Sequence, residues 1–301
     1  MHRISEIQTT IEDIENNSSL FEENNFLRRI ETIDFLEFQI IGELEKLELD
    51  NPQIEKFDHL KKRTESLLAA LERINDTLFK MLLENIRTGK ITGQKFKILI
   101  NEYFDFTLYN SEYKEEVGYD NLDIFIDRLF PRQAMPEQTK DLEQGMIYYQ
   151  KTPVRIVFEF INKIEFAKED VFFDLGSGLG QVAILVNLLC GIKTKGVEIE
   201  PSFCDYARQS ASEFKLHDVN FINTDARKVD YSCGTIFFMF TPFKDKILEE
   251  VLRVLKEQSQ QRKIKIITYG PCTTHVAAQS WLKCVTPQVL DIYKPTIFKN
   301  M

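Results

Sequence analysis

The stretch VFFDLGSGLGQV, Val171 to Val182, limits what this chain can fold into more than any other. Val171, Phe172 and Phe173 form a short apolar run of β-forming residues, Asp174 comes next, and glycines stand at 176, 178 and 180 before the apolar segment Val182–Leu189. A strand, a glycine-rich turn and a helix are the expectation. Glycines at such a turn take positive φ and let the backbone approach a ligand, while the free N–H groups and the dipole of the helix behind them favour polar ligand groups. A glycine cluster also makes an ordinary tight turn, so the assignment depends on acids placed at the right distance downstream.

Lys195, Gly196 and Val197 lead into Glu198 at the end of the expected second strand. An acid there, roughly 20 residues after the glycine turn, is placed to accept hydrogen bonds from the hydroxyls of a ribose. VNFINTD then reads as a third strand, Val219 to Asp225, with a carboxylate able to accept from an adenine amino group. The same Asp225 would serve equally well as a turn or helix cap.

The glycine spacing selects the nucleoside. A dinucleotide fingerprint needs G-x-G-x-x-G; here the spacing is G-x-G-x-G, and Gln181 holds the third dinucleotide position. Asp174 lies two residues before the first glycine, where it would repel a pyrophosphate and attract the amino group or sulfonium of S-adenosylmethionine. The sequence D-x-G-x-G-x-G, succeeded by one acid ending strand two and another after strand three, resembles the class I S-adenosylmethionine-dependent methyltransferases. A narrower resemblance covers roughly Tyr149 to Arg208. YYQKTP with VFFDLGSGLGQV after it is similar to the cofactor region of the non-SET histone lysine methyltransferases, the disruptor-of-telomeric-silencing family, in which a Y-x-x-T loop and a helix precede VDLGSGVGQV. Tyr149 and Thr152 match that loop, and Gly196–Glu198 match its GVE. The pattern departs after strand four, where the family carries N-N-F and this chain has FFMFTPF. The resemblance implies cofactor contacts from Tyr149, Thr152, Asp174, Gly176, Ser177, Gly178, Gln181, Glu198, Ile199, Asp225 and Ala226. Tyr149, Phe240, Thr241 and Phe243 would border the transferred methyl group, with Tyr148 and Tyr149 contributing to an aromatic collar.

The expected fold class is α/β: a doubly wound, seven-stranded Rossmann-like methyltransferase sheet preceded by an all-α helical domain. Regular alternation of strand and helix from Val171 to Tyr269 requires a parallel sheet, and the tail PQVLDIYKPTIFKNM is expected to supply closing strands six and seven. The division is 1–130 helical, 131–151 junction and cofactor or substrate loop, and 152–301 methyltransferase. Apolar residues from Phe26 to Leu47 and from Ile54 to Met81 recur at gaps of three and four on either side of Pro52, which indicates a helical hairpin whose seam could also pair two copies. Shorter helices are expected from Gln94 to about Leu108 and from Asn121 to Phe130, stopped by Pro131. Thr152 and Pro153 read as the N-cap and first residue of a helix from Val154 to Phe166.

Composition excludes several classes. No run reaches the roughly 18 apolar residues of a membrane span, and the N-terminus is too polar for a signal peptide. Five cysteines without a C-x-x-C give neither a disulfide framework nor a metal site, so no metal is expected and the location is cytoplasmic. The net charge of −9 is concentrated in Met1–Asp58, with 15 acids against 5 bases, which disfavours nucleic acid as a partner. Four scattered histidines, of which only His275 falls near a strand's carboxyl end, offer no obvious general base. The expectation is an S-adenosylmethionine-dependent methyltransferase acting in line on a protein side-chain amine. A small-molecule acceptor, an NAD-dependent oxidoreductase and a non-catalytic partner-binding protein are the alternatives.

Overall fold

A computed structural model describes residues 2–50, 55–104, 118–130, 134–285 and 290–301. The chain divides into two compact units. One holds the residues up to Asn85 and a segment beginning at Leu99; the other holds Ile86–Ile98 and the chain from Leu108 onward.

The first unit is helical: α1 His2–Asn16, α2 Phe26–Asp34, a π-helical stretch Phe35–Ile41, α3 Gly42–Asp50 and α4 Glu55–Arg87. The hairpin read from the periodicity corresponds to α2–α3 and α4, and its break at Pro52 lies outside the described residues. The periodicity had not singled out α1, although Ile4, Ile7 and Ile11 are buried at helical spacing. The seam of α4 also departs from the expected one, passing through Asn75 and Leu82 rather than Ile74 and Met81. The reason is Arg29, fully buried on α2. Its guanidinium donates to Asn75 Oδ1 at 2.7 Å and to the carbonyls of Leu20 and Glu22 at 3.0 and 2.6 Å. A buried cation needs such a full set of acceptors, so the polar pair takes an interior position that hydropathy assigns to a hydrophobe.

The second unit contains α5 Gln94–Tyr103 in part, α6 Asn121–Leu129, α7 Val154–Lys163 and a seven-stranded sheet. In chain order the remaining elements are β1 Val171–Leu175, α8 Gln181–Cys190, β2 Lys193–Glu198, α9 Pro201–Glu213, β3 Val219–Asn223, β4 Ile236–Phe240, α10 Asp245–Ser259, β5 Lys265–Tyr269, the short α11 Cys272–Ala277, β6 Leu282–Cys284 and β7 Thr296–Asn300. The strand order is β3-β2-β1-β4-β5-β7-β6, parallel from β1 to β5, with β7 antiparallel to both its neighbours. This is the expected sheet with one shift: β6 precedes the tail assigned to it, because α11 brings the chain back to the edge early. The part of that tail at 286–289 lies outside the described residues, as does the expected stop at Pro131.

Successive β1 side chains serve opposite faces, as strand geometry demands. Phe172 stacks with Phe160 of α7 and Phe238 on one side, and Phe173 packs with Tyr231 and Phe237 on the other. With both faces covered, β4 and the first three residues of β1 read as continuous apolar runs. Their carboxyl ends, where the glycine turn and the Phe240–Phe243 loop begin, lie on the same edge of the sheet.

Candidate active site

Along that edge is a cavity of about 640 Å³. Its floor comes from the glycine turn. Gly176, Gly178 and Gly180 have φ of +77°, +51° and +82°, and the N–H groups of Gly176 and Ser177 both donate to Val197 O, at 2.9 and 3.0 Å. The turn is thereby tied to the end of β2. A Cβ on Gly176 would lie 2.3 Å from Pro242 Cβ, and one on Gly178 would lie 2.2 Å from the Tyr149 ring. The glycines therefore make room for the chain's own loops as well as for a ligand, and an alanine there would disturb the walls of the site together with any cofactor contact.

Glu198 ends β2 with its carboxylate buried. Oε2 accepts from Gly178 N at 2.8 Å and Oε1 from Glu200 N at 2.9 Å. Burial pushes the carboxyl up, and the amides of Glu200 and Gly178 pull against that shift. Asp174 is more perturbed. Burial first and the neighbouring Glu198 second push it up to about 8, opposed by the N–H of Ala183. Its Oδ2 has no hydrogen-bond partner, and neither have Ser177 Oγ and Gln181 Oε1, all buried and all on residues lining the cavity. Unpartnered buried polar atoms are costly. Three in one place, with a carboxylate among them, fit a ligand that brings donors and positive charge, as the amino group and sulfonium of S-adenosylmethionine do.

Of the residues expected from the sequence, Tyr149, Thr152, Asp174, Gly176, Ser177, Gln181, Glu198, Ile199, Asp225, Ala226, Phe240, Thr241 and Phe243 all line the cavity. Gly178 stands behind the Tyr149 ring. That ring packs edge-on against Phe203 at 5.5 Å, and burial pushes its phenol up. Thr152 is not the N-cap of α7: the cap is Pro153, and the first helical N–H, from Val154, donates to Asp123 Oδ1 on α6 at 3.0 Å. Asp225 acts as a cap in addition to lining the cavity. It accepts from Arg227 N at 2.8 Å, and the Arg227 guanidinium holds its carboxyl below the usual range.

Past β4 the lining turns aromatic. Phe240 meets Tyr269 at 4.7 Å between ring centroids, and Tyr148, Tyr293 and Pro242 complete that part of the wall. Thr241 has φ +41°, a conformation unusual for a β-branched residue. Its hydroxyl donates to Tyr269 O and accepts from Cys272 N, both at 3.2 Å, so it is satisfied within the fold. Phe243 is largely a core residue, packed with Ile247 and Met239.

Sequence reasoning missed Glu200 and Arg227. Glu200 is buried, yet burial is outweighed by hydrogen bonds from Thr139, Lys140 and Ser202, which hold its carboxyl at about 2. The signal available was Glu200-Pro201, an acid immediately before a proline at a helix start. Among the described residues no group of three or more His, Cys, Asp or Glu could hold a metal ion, and no helix is long and apolar enough to cross a membrane.

Several solved structures are similar to the chain. They include an RNA methyltransferase from Salinibacter ruber in complex with S-adenosyl-L-homocysteine (21% identity, 50% of this chain and 92% of that one, TM-score 0.40). A putative methyltransferase, yhhF, from Escherichia coli (13%, 52% and 89%, TM-score 0.40) and a human methyltransferase 10 domain containing protein (12%, 50% and 83%, TM-score 0.37) are also similar. No curated protein matches. Residues 143–268 match the family model of the histone methylation protein DOT1, and over those residues the chain carries an S-adenosylmethionine-dependent methyltransferase domain.

Proposed function

We propose that the protein transfers the methyl group to a side-chain amine of another protein. The observation that carries this reading is the change in lining along one cavity. The floor is acidic, with unpartnered polar atoms at Asp174, Ser177 and Gln181; the wall at the ends of β4 and β5 is aromatic, built on Phe240, Phe243, Tyr269 and Tyr293. When bound, the cofactor supplies the activated methyl and a positive charge. On this reading Asp174 faces that charge, Glu198 receives the ribose, Tyr149 and Thr152 close the side, and Asp225 and Ala226 border the adenine. On this reading the rings of Phe240, Tyr269 and Tyr293 border the acceptor amine and attract a cation through their faces by about 0.5–2 kcal/mol. In-line transfer then needs little beyond positioning and the exclusion of water.

The family name attached to residues 143–268 supports a lysine of a basic protein as the first acceptor to test. The Phe240-Thr241-Pro242-Phe243 sequence, in place of N-N-F, favours an acceptor other than a nucleosome. The segment 134–150 beside the cavity carries Asp141 and Glu143 against Lys140, a poor surface for phosphates. The rest of the reading is a helical domain at 1–130 that selects the acceptor or pairs two copies, a junction at 131–151, a catalytic domain at 152–301 and a cytoplasmic location, in keeping with five free thiols.

Tritium transfer from labelled cofactor into a fractionated lysate tests the acceptor. Label in protein, released as methyl-lysine on hydrolysis, is expected. Label confined to nucleic acid overturns the reading, and label confined to small molecules replaces it with a metabolic amine.

A further inference from the structure

The segment 134–150, which we call the strap, is fixed at three successive places by side chains and backbone of the sheet edge. At Thr139 and Lys140, Glu200 accepts from both backbone N–H groups, at 2.9 and 2.8 Å, and from the Thr139 hydroxyl at 2.6 Å. Ser202 Oγ adds a bond to Glu137 O at 2.7 Å. At Glu143, the Arg227 guanidinium donates to both carboxylate oxygens, at 2.7 and 3.2 Å. At Gly145 to Ile147, the strap pairs with the loop after β4: Ile147 N donates to Pro242 O at 3.2 Å and Lys244 N to Gly145 O at 2.7 Å. The next residues, Tyr148 and Tyr149, line the cavity, and Tyr148 is 76% exposed.

The two charged latches share an arrangement. Glu200 lies two residues after Glu198 and donates its own N–H to the Glu198 carboxylate. Arg227 lies two residues after Asp225 and binds both Asp225 oxygens, at 3.0 and 2.6 Å. Each acid assigned to the nucleoside is therefore hydrogen-bonded to the residue that grips the strap, and the strap continues directly into the acceptor mouth.

We infer that Glu200 and Arg227 are positioning residues that couple occupancy of the nucleoside end of the cavity to the seating of the strap, and so to the shape of the mouth formed by Ile147, Tyr148 and Pro242. A nucleoside drawing on Glu198 and Asp225 fixes the acids, the acids fix the latches, and the latches hold the strap down. The cofactor then precedes the acceptor, because the mouth is complete only after the strap is seated. Neither latch touches the reacting atoms.

This rests on the cofactor assignment above, and one experiment separates the two. S-adenosylhomocysteine is titrated into the full chain by calorimetry, and hydrogen exchange of the strap is measured with and without saturating ligand. In the unmodified protein the ligand is expected to slow exchange over 139–147 by about tenfold or more. Glu143→Ala removes the Arg227 latch at a half-exposed site with no role in the core. Thr139→Val weakens the Glu200 latch without touching its cap of α9. Each should bind the ligand several-fold more weakly and lose most of the slowing at Ile147 even at saturation, with an unchanged melting temperature, while Glu143→Asp recovers part of it. Slowing at Ile147 that survives saturation in both variants overturns the coupling, as does binding without slowing in the unmodified protein. Absence of binding in the unmodified protein overturns the cofactor assignment instead.

Discussion

The two ends of the cavity are built on opposite principles. Around the ends of β1 and β2, Asp174, Ser177 and Gln181 leave buried polar atoms unpartnered and Asp174 is pushed up to about 8. Around the ends of β4 and β5, Thr241 is satisfied by Tyr269 O and Cys272 N, and ring meets ring between Phe240 and Tyr269. The first region presents a carboxyl and unpaired polar atoms to a polar, cationic partner, whereas the second contributes mainly ring faces and shape. A methyltransferase needs both, since the cofactor must be held by charge and hydrogen bonds while the acceptor must pass through without being trapped.

The contrast can be broken most directly at Glu198. Glu198→Ala removes the expected ribose acceptor and the bonds to Gly178 and Glu200, and a loss of about 3 kcal/mol, roughly 100-fold in affinity for S-adenosylhomocysteine, is expected by calorimetry. Affinity within a few-fold of the unmodified protein would show that the floor is not the cofactor site. The next effect is on pH. Because burial and Glu198 raise Asp174 to about 8, this carboxyl holds a proton in the free protein below that pH, and a bound cation favours the ionised form. Affinity should therefore rise with pH by up to about tenfold per unit until about pH 8 and then level off, with one proton released on binding. Asp174→Asn should flatten the profile.

At the mouth the effects should be smaller on binding and larger on turnover. Phe240→Leu keeps an apolar side chain but loses the ring face, so affinity for S-adenosylhomocysteine should change less than about threefold while methyl transfer falls by about tenfold. Equal losses in binding and transfer would erase the distinction between the two ends. The smallest effect is expected at Asp225, whose oxygens Arg227 already engages: Asp225→Asn should weaken binding only about threefold. A loss as large as that of Glu198→Ala would move the main nucleoside contact to β3.

The difference between the ends also decides what the sequence could reveal. Asp174, the glycines and Glu198 are separated by fixed intervals within one strand-turn-helix-strand unit, so local spacing was enough to place them together at the carboxyl ends of β1 and β2. The sheet was equally legible, because strand and helix alternate regularly through Tyr269, apart from β6, which a six-residue helix displaced. The latches were not legible. Glu200 meets Thr139 across 61 positions and Arg227 meets Glu143 across 84, and nothing in periodicity links such pairs. Thr152 shows the same limit in reverse: a good local cap by residue type is not used as one, because a distant carboxylate does the work. In the helical unit, Arg29 and Asn75 occupied the seam for a reason visible only once the two helices are side by side.

The cap of α7 has a consequence for assembly. Asp123 closes the capping box of α6 by accepting from Asp120 N and, with its other oxygen, accepts the first N–H of α7. A single carboxylate thus starts two helices, with 31 positions between Asp123 and Val154. The first N–H of α7 therefore finds its acceptor only where α6 is docked against it, so the seating of the wall that carries Thr152 is tied to the packing of α6.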